Sequence, residues 1–292
     1  MKTKISKFHD KNYKLLLLIP AILLIFSFIY LGIFYSNNGD FMYKDISLTG
    51  GTSVTIYDSV DAEELELAIS SQLDDVSIRQ AYDLITREQI SLEIETRSDK
   101  DYTKQVLEDF LGYELVPGTN SDFVFTGSSL SESFYSQLLI AILFAFIFMA
   151  IVVFILFRTF IPSAAVVIAA FADILMTLVF VDLIGMKMST AGIVAFLMLI
   201  GYSVDTDILL TTRLLKRHGA SVNSKIYGAF KTGITMTLTS LLAVLLALFV
   251  VRSFSIVLTQ IFTILAIGLG FDILNTWITN VSILKWYIKS KK

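Results

Sequence analysis

The stretch SQLLIAILFAFIFMAIVVFILF, Ser136 to Phe157, runs for 22 residues without a charge and is bracketed by Tyr135 and Arg158. About 20 such residues are needed to cross a bilayer as a helix, so this stretch reads as a transmembrane span. The same reading extends in both directions. Leu15–Tyr35 is an uncharged run near the N-terminus. Ile161–Val181 is broken only by Asp173, and Thr190–Thr212 only by Asp205 and Asp207. Thr232–Val251 is uncharged, and Ser253–Leu284 is broken by Asp272 and is longer than one span needs. Six transmembrane helices are expected, one ahead of a polar block and five clustered behind it. The composition agrees: 55% of the 292 residues are hydrophobic and 17% charged, against about 25% charged in ordinary soluble domains. A cytosolic enzyme and a disordered chain are both excluded. With no Cys and two His, thiolate chemistry and a histidine-rich metal site are excluded as well.

Charge sets the expected orientation. Residues 1–14 hold five Lys. The 213–231 loop holds Arg213, Lys216, Arg217, Lys225 and Lys231, and the 285–292 tail holds four Lys. With Arg158, one side carries fifteen basic residues and a single acid, Asp10, whereas the opposite short loops hold only Lys187 and Arg252. The positive-inside rule places both termini in the cytoplasm of a multi-pass cell-membrane protein. The expected division is a cytoplasmic N-terminus (1–14), span one (15–35), an extracytoplasmic domain (36–135), spans two to six (136–284) and a cytoplasmic tail (285–292). Span one is read as an uncleaved anchor, because it is too long for a signal peptide and no small-residue cleavage site follows it.

The 36–135 block is acidic, with 20 acids against 6 bases. Alternation around β-branched residues predicts strands at 53–57, 76–82, 89–96 and 122–126. Helical spacing predicts helices at 61–73, with Asp61 as N-cap, and at 101–111. The order β-α-β-β-α-β predicts a ferredoxin-like α+β domain. No catalytic constellation, phosphate-binding loop, calcium loop or dinucleotide fingerprint is present, so neither an enzyme nor a cofactor is expected. The segment Thr49-Gly50-Gly51-Thr52 leads into the first strand, where the glycines permit a turn or bulge. Asn280-Val-Ser282 matches a glycosylation acceptor, but it falls at the inner end of span six and is read as a chance match.

The four intramembrane acids, Asp173, Asp205, Asp207 and Asp272, carry the chemistry. An Asp at mid-membrane costs about 2.5–3.5 kcal/mol on insertion scales and normally faces protein or water. Residues two apart on a helix point about 200° apart, so Asp205 and Asp207 lie on different faces; either is open to pairing with Arg213 or Arg217 near the surface. No Lys or Arg lies within spans three, four or six. The acids are therefore expected to be protonated, solvated, bound to a cation or paired with hydroxyls. Tyr202, Ser203 and Thr206 on span four, and Thr237, Thr239 and Ser240 on span five, are the candidate polar partners. Helix–helix adhesion through these groups is the competing explanation. A domain pivot is expected near 37–39 and 127–129.

The segment Ile200-Gly-Tyr-Ser-Val-Asp-Thr-Asp-Ile-Leu-Leu210, followed by Thr211-Thr212-Arg213, resembles the fourth-span signature of the SecF branch of the SecD/SecF family, within the resistance–nodulation–division (RND) superfamily. Leu48–Thr52, Gly127–Leu130 and Thr237–Ala243 resemble other family segments, in the family's order. The resemblance implies an RND-like membrane fold and a protein-export role beside SecD at a SecYEG-type channel, acting on exported unfolded polypeptides and driven by proton-motive force. No nucleic acid is expected as a partner; the lipid bilayer is. Bacterial members typically read Asn-Asp-Thr where this chain has Asp205-Thr206-Asp207, so the form here is nearer the archaeal branch. The alternatives are half of a small-molecule exporter of the same superfamily and a non-transporting membrane scaffold.

Overall fold

The computed structural model describes residue 13 and residues 15–83, 85–216, 221–253 and 255–290. The basic residues Lys2, Lys4, Lys7, Lys11, Lys14, Arg217, Lys291 and Lys292, together with Asp10, lie outside the described residues. Six helical stretches among the described residues are long and apolar enough to cross a membrane. They are α1 (Leu18–Asn38), α5 (Ser128–Phe157), α6 (Phe160–Leu183), α7 (Thr190–Lys216), α8 (Val222–Val251), and a sixth formed by α9 (Ile256–Leu274), a π-helical segment (Asn275–Asn280) and α10 (Val281–Ser290). The chain is a multi-pass helical membrane protein with a small α+β domain between α1 and α5. Helix α5 begins two turns before the uncharged run does, because Gly127 takes the N-cap position directly after the last strand. Helices α6 and α7 bury most of their surfaces inside the bundle, whereas α5 and α8 bury little.

The α+β domain holds α2 (Ile46–Thr49), β1 (Gly51–Ile56), α3 (Ala62–Ile69), β2 (Ser77–Tyr82), β3 (Gln89–Thr96), α4 (Lys100–Leu111) and β4 (Ser121–Thr126). The sheet order β2-β3-β1-β4 is antiparallel throughout, the ferredoxin-like arrangement. Alternation along β1 and β3 sends Val54, Ile56, Leu92 and Ile94 into a core with Leu65, Ile69, Val106 and Leu107 of the two helices. Asp61 caps α3 by accepting from the backbone of Glu63 and Glu64. Helix α3 stops at Ile69, short of the expected residue 73, where the chain turns toward Asp75 at φ 52°.

Backbone and side chains seat this domain on the two short loops of the membrane bundle. The Asp45 N–H donates to Met188 O at 3.0 Å, and the Met188 N–H donates to Tyr43 O at 2.6 Å. Asp45 caps α2, accepting from the Ser47 backbone at 2.9 Å, while the Ser47 hydroxyl accepts from the Thr190 backbone at 2.9 Å. Lys187 reaches Asp75 at 2.8 Å, and the Tyr82 N–H reaches Ser253 O at 3.1 Å. Thr49 donates to Asp45 O at 3.0 Å, and Thr52 donates to Ser98 O at 2.8 Å. Gly50 and Gly51 have φ of 83° and 141°; a Cβ on Gly50 would lie 2.5 Å from Ser128 Cα, and one on Gly51 would strike Thr96 O. The glycine pair is thus a close crossing of the domain's incoming and outgoing chains. Of the residues 127–129 where a pivot is expected, Ser128 is packed against Gly50, whereas Gly127 has open space around it.

Candidate functional site

Asp173, Asp207 and Asp272 meet between α6, α7 and the sixth span, each with no exposed surface. The helical period explains who joins them on α7. Ser203, Asp207 and Thr211 recur every four residues on one face and are buried, whereas Met198, Tyr202 and Asp205 share the exposed face. Ser203 donates to Asp173 Oδ2. Asn275 Nδ2 donates to Asp173 Oδ1 at 2.7 Å. The Thr276 hydroxyl lies 2.9 Å from Asp207 Oδ1 and 3.1 Å from Asp272 Oδ1, linking the two carboxyls. Asn280 Nδ2 donates to Asp207 Oδ1 at 2.7 Å, and the Thr237 hydroxyl lies 3.5 Å from Asp272 Oδ2.

The π segment makes this arrangement possible. In an α-helix, residues five apart stand about 140° apart, so Asn275 and Asn280 would diverge. Bonding from i to i+5 widens the turn and brings them toward one side, and such turns are frequent at functional sites. The bundle makes room for the segment at Gly233 of α8, where an added Cβ would lie 2.5 Å from the Trp277 ring and 3.1 Å from Thr206 Cγ2.

None of the ion pairs among the described residues involves the three carboxyls. Their partners are neutral hydroxyls and amides. Three ionised carboxylates with no basic side chain at hand would be a large electrostatic load in an apolar bundle, one that only protons or cations relieve.

Several expected participants stand elsewhere. Asp205 and Tyr202 are exposed, the latter by 45%. Thr206 is buried against Gly233 rather than in the carboxyl cluster. The exposed Thr239 turns its hydroxyl back to the carbonyls of Thr235 and Met236, and Ser240 is half-buried with no hydrogen bond to the three carboxyls. Arg213 pairs with neither Asp205 nor Asp207: it donates to Gly228 O and to the Thr232 hydroxyl at 2.9 Å, because its long side chain crosses to α8. Thr49, Gly50, Gly51 and Thr52 belong to the domain junction. Sequence reasoning missed Asn275, Thr276 and Asn280. The signal was the polar series Asn275-Thr276-Trp277-Ile278-Thr279-Asn280 inside a span already longer than a membrane requires.

Outside the spans, Glu95 on the helix-free face of the sheet is buried beside Arg79 at 3.5 Å. Burial pushes its carboxyl up to about 7, against the attraction of Arg79 and with repulsion from Asp45 and Glu93. Burial also raises Asp45, opposed by its hydrogen bonds from Ser47.

Residues 116–290 match the family profile described as protein export membrane protein SecD/SecF, C-terminal. The protein-export membrane protein SecF of Methanocaldococcus jannaschii is 38% identical over 285 residues, covering 95% of this chain and 96% of that protein. SecF of Methanolacinia petrolearia is 40% identical over 290 residues, covering 98% and 96%. Among solved structures, the crystal structure of SecDF, a translocon-associated membrane protein from Thermus, superimposes with a TM-score of 0.68 at 20% identity. That match covers 97% of this chain and 38% of the SecDF chain, and it bears on fold alone.

Proposed function

The chain belongs to the archaeal-type SecF branch of the SecD/SecF protein-export family, and from that premise we propose how this accessory subunit of Sec export acts. It pairs with a SecD subunit at a SecYEG-type channel, and it couples proton-motive force to the movement of exported, unfolded polypeptides through the α+β domain. The observation that carries this reading is the carboxyl centre of Asp173, Asp207 and Asp272, fully buried and held by neutral donors only. Adhesion between helices requires hydroxyls and amides; it does not require three acids. A charge crossing 100 mV is worth about 2.3 kcal/mol, enough to shift a balanced two-state equilibrium roughly fifty-fold.

The pairing with SecD is supported by the exposed face of α7. Asp205 and Tyr202 lie at membrane depth on the outside of the bundle. An acid facing lipid there costs about 2.5–3.5 kcal/mol, so this face suits cover by a partner helix bearing a cation or hydrogen-bond donors. The termini lie in the cytoplasm and the α+β domain outside, a topology supported by the fifteen basic residues set against one acid on the inner side.

One preparation tests both. Mild detergent extraction at native expression levels recovers a second, larger six-span subunit with the wild-type chain, and Asp205→Leu reduces that recovery. Ser71→Cys, at an exposed position of the α+β domain, reacts with an impermeant thiol reagent in intact cells, and Ser221→Cys reacts only after permeabilisation. Recovery of a stable monomer, or the reverse labelling pattern, contradicts the reading.

A further inference from the structure

We infer that Asp207, Thr211 and Asn280 form a binding site for one monovalent metal cation, of the sodium class, beside the carboxyl centre. All three side chains are fully buried, and each presents an oxygen with no hydrogen-bond partner: Asp207 Oδ2, Thr211 Oγ1 and Asn280 Oδ1. The pattern of bonds around them is lopsided. Thr276 and Asn280 both contact Asp207 through Oδ1, at 2.9 and 2.7 Å, and leave Oδ2 free. The orientation of the Asn280 amide follows from that contact, because its NH2 must face the carboxylate; its carbonyl oxygen is then a buried acceptor without a donor.

Thr211 is the second, independent sign. Helix threonines commonly satisfy their hydroxyl on the carbonyl four residues back. Here the buried Thr177 does so at 2.6 Å, as do the half-buried Thr259 at 2.7 Å and the exposed Thr235 at 2.8 Å. Thr211 does not bond back to Asp207, although it stands one turn farther along the same face of α7. Three oxygens from α7 and the end of the π segment therefore lack partners where buried polar atoms are almost always matched.

The chemistry of the set selects the ligand. The donors are all oxygen, which suits a hard cation rather than a transition metal. The set carries one formal negative charge, so a monovalent cation neutralises it and a divalent ion would leave a buried excess. No group of three or more His, Cys, Asp or Glu among the described residues is arranged to hold a metal ion, so neutral oxygens must supply most of the coordination. Such sites recur in membrane transporters where a helix departs from α geometry.

The site deepens the coupling reading and rests on it only for its use in transport, so the test measures binding without export. The full chain in detergent, with Trp286→Phe leaving Trp277 of the π segment as the sole indole, is titrated with sodium chloride against choline chloride at constant ionic strength. Sodium raises the melting midpoint saturably, by on the order of 5 °C, with a parallel change in Trp277 emission. Thr211→Val keeps the Asn280–Asp207 bond and removes one ligand. It is at least as stable as the parent in choline, because the lost hydroxyl had no protein partner, and it shifts the sodium midpoint upward at least tenfold. Thr211→Ser retains the response. A wild-type chain with no saturable difference between sodium and choline, as a water-filled site would give, overturns the inference, and so does an undiminished response in Thr211→Val. Either result, alongside export lost in Asp207→Asn, removes this site and leaves the coupling reading intact.

Discussion

Asp75, on the α+β domain, is 40% exposed and holds two cations, Lys187 at 2.8 Å and Arg97 at 3.1 Å. Asp173, between the membrane helices, has no exposure and holds a serine and an asparagine. Twenty of the chain's 26 acids lie in residues 36–135 with the first of these, where water and nearby bases make charge inexpensive. The three acids of the buried centre, Asp173, Asp207 and Asp272, have neither. Residue type is the same in both regions, so the surroundings decide whether a carboxyl solvates a surface or carries a function.

The sharpest way to break that contrast is substitution on each side of it. Asp173→Asn preserves the shape of the centre, with its amide oxygen accepting from Asn275 and its NH2 donating to the Ser203 hydroxyl in a reversed bond, but removes the titratable group at this position; export is expected to fall by about 100-fold with the fold intact, as for loss of an essential proton carrier. Asp75→Asn is expected to leave export within about twofold. Parallel export assays and circular dichroism on the two variants check this.

Glu95 is the acid of the α+β domain that most resembles the buried set, and it sharpens the comparison through pH. Its carboxyl titrates near 7 in the folded chain and near 4.5 when unfolded. The folded state therefore binds the extra proton between those values, so stability is greatest below about 4.5 and falls as pH rises toward 7. The shift corresponds to about 3 kcal/mol. Thermal melts from pH 4.5 to 7.5 should show this decline, and Glu95→Gln should flatten it.

Smaller effects follow for the supporting donors and the surface pairs. Asn275→Ala leaves Asp173 Oδ1 without its amide and should cost about 1–3 kcal/mol of stability. The surface pairs of Asp75 should be worth less than about 1 kcal/mol, and that small loss should vanish in high salt. Denaturant titrations of the full chain at two ionic strengths separate these cases.

How much of this was legible in the sequence differed by region for physical reasons. Strand alternation at Val54-Thr55-Ile56 and Leu92-Glu93-Ile94 reports directly which side chains enter a core, so the ferredoxin-like order was readable. Asp173 and Asp272 stood out because an acid in an apolar span has few places to go. The separation of Asp205 from Asp207 was readable as a 200° rotation, but only packing reveals which of the two faces the bundle. The π segment was not readable, because every periodicity argument assumes 3.6 residues per turn, and Asn275 and Asn280 share a side only when that assumption fails. Nor did local pattern show that 43–47 would bond to 188–190, since those contacts join segments more than 140 residues apart.

The most direct test of the central claim is export into sealed membrane vesicles containing the SecD-bound chain, measured with an imposed proton gradient and again after the gradient is collapsed. The wild-type complex should lose its gradient-dependent increment on collapse, and an Asp207→Asn complex of equal SecD content should show no increment under either condition. A full gradient-dependent increment in Asp207→Asn, and again in a variant also carrying Asp173→Asn and Asp272→Asn, would contradict the account and leave the buried carboxyls as adhesion between helices.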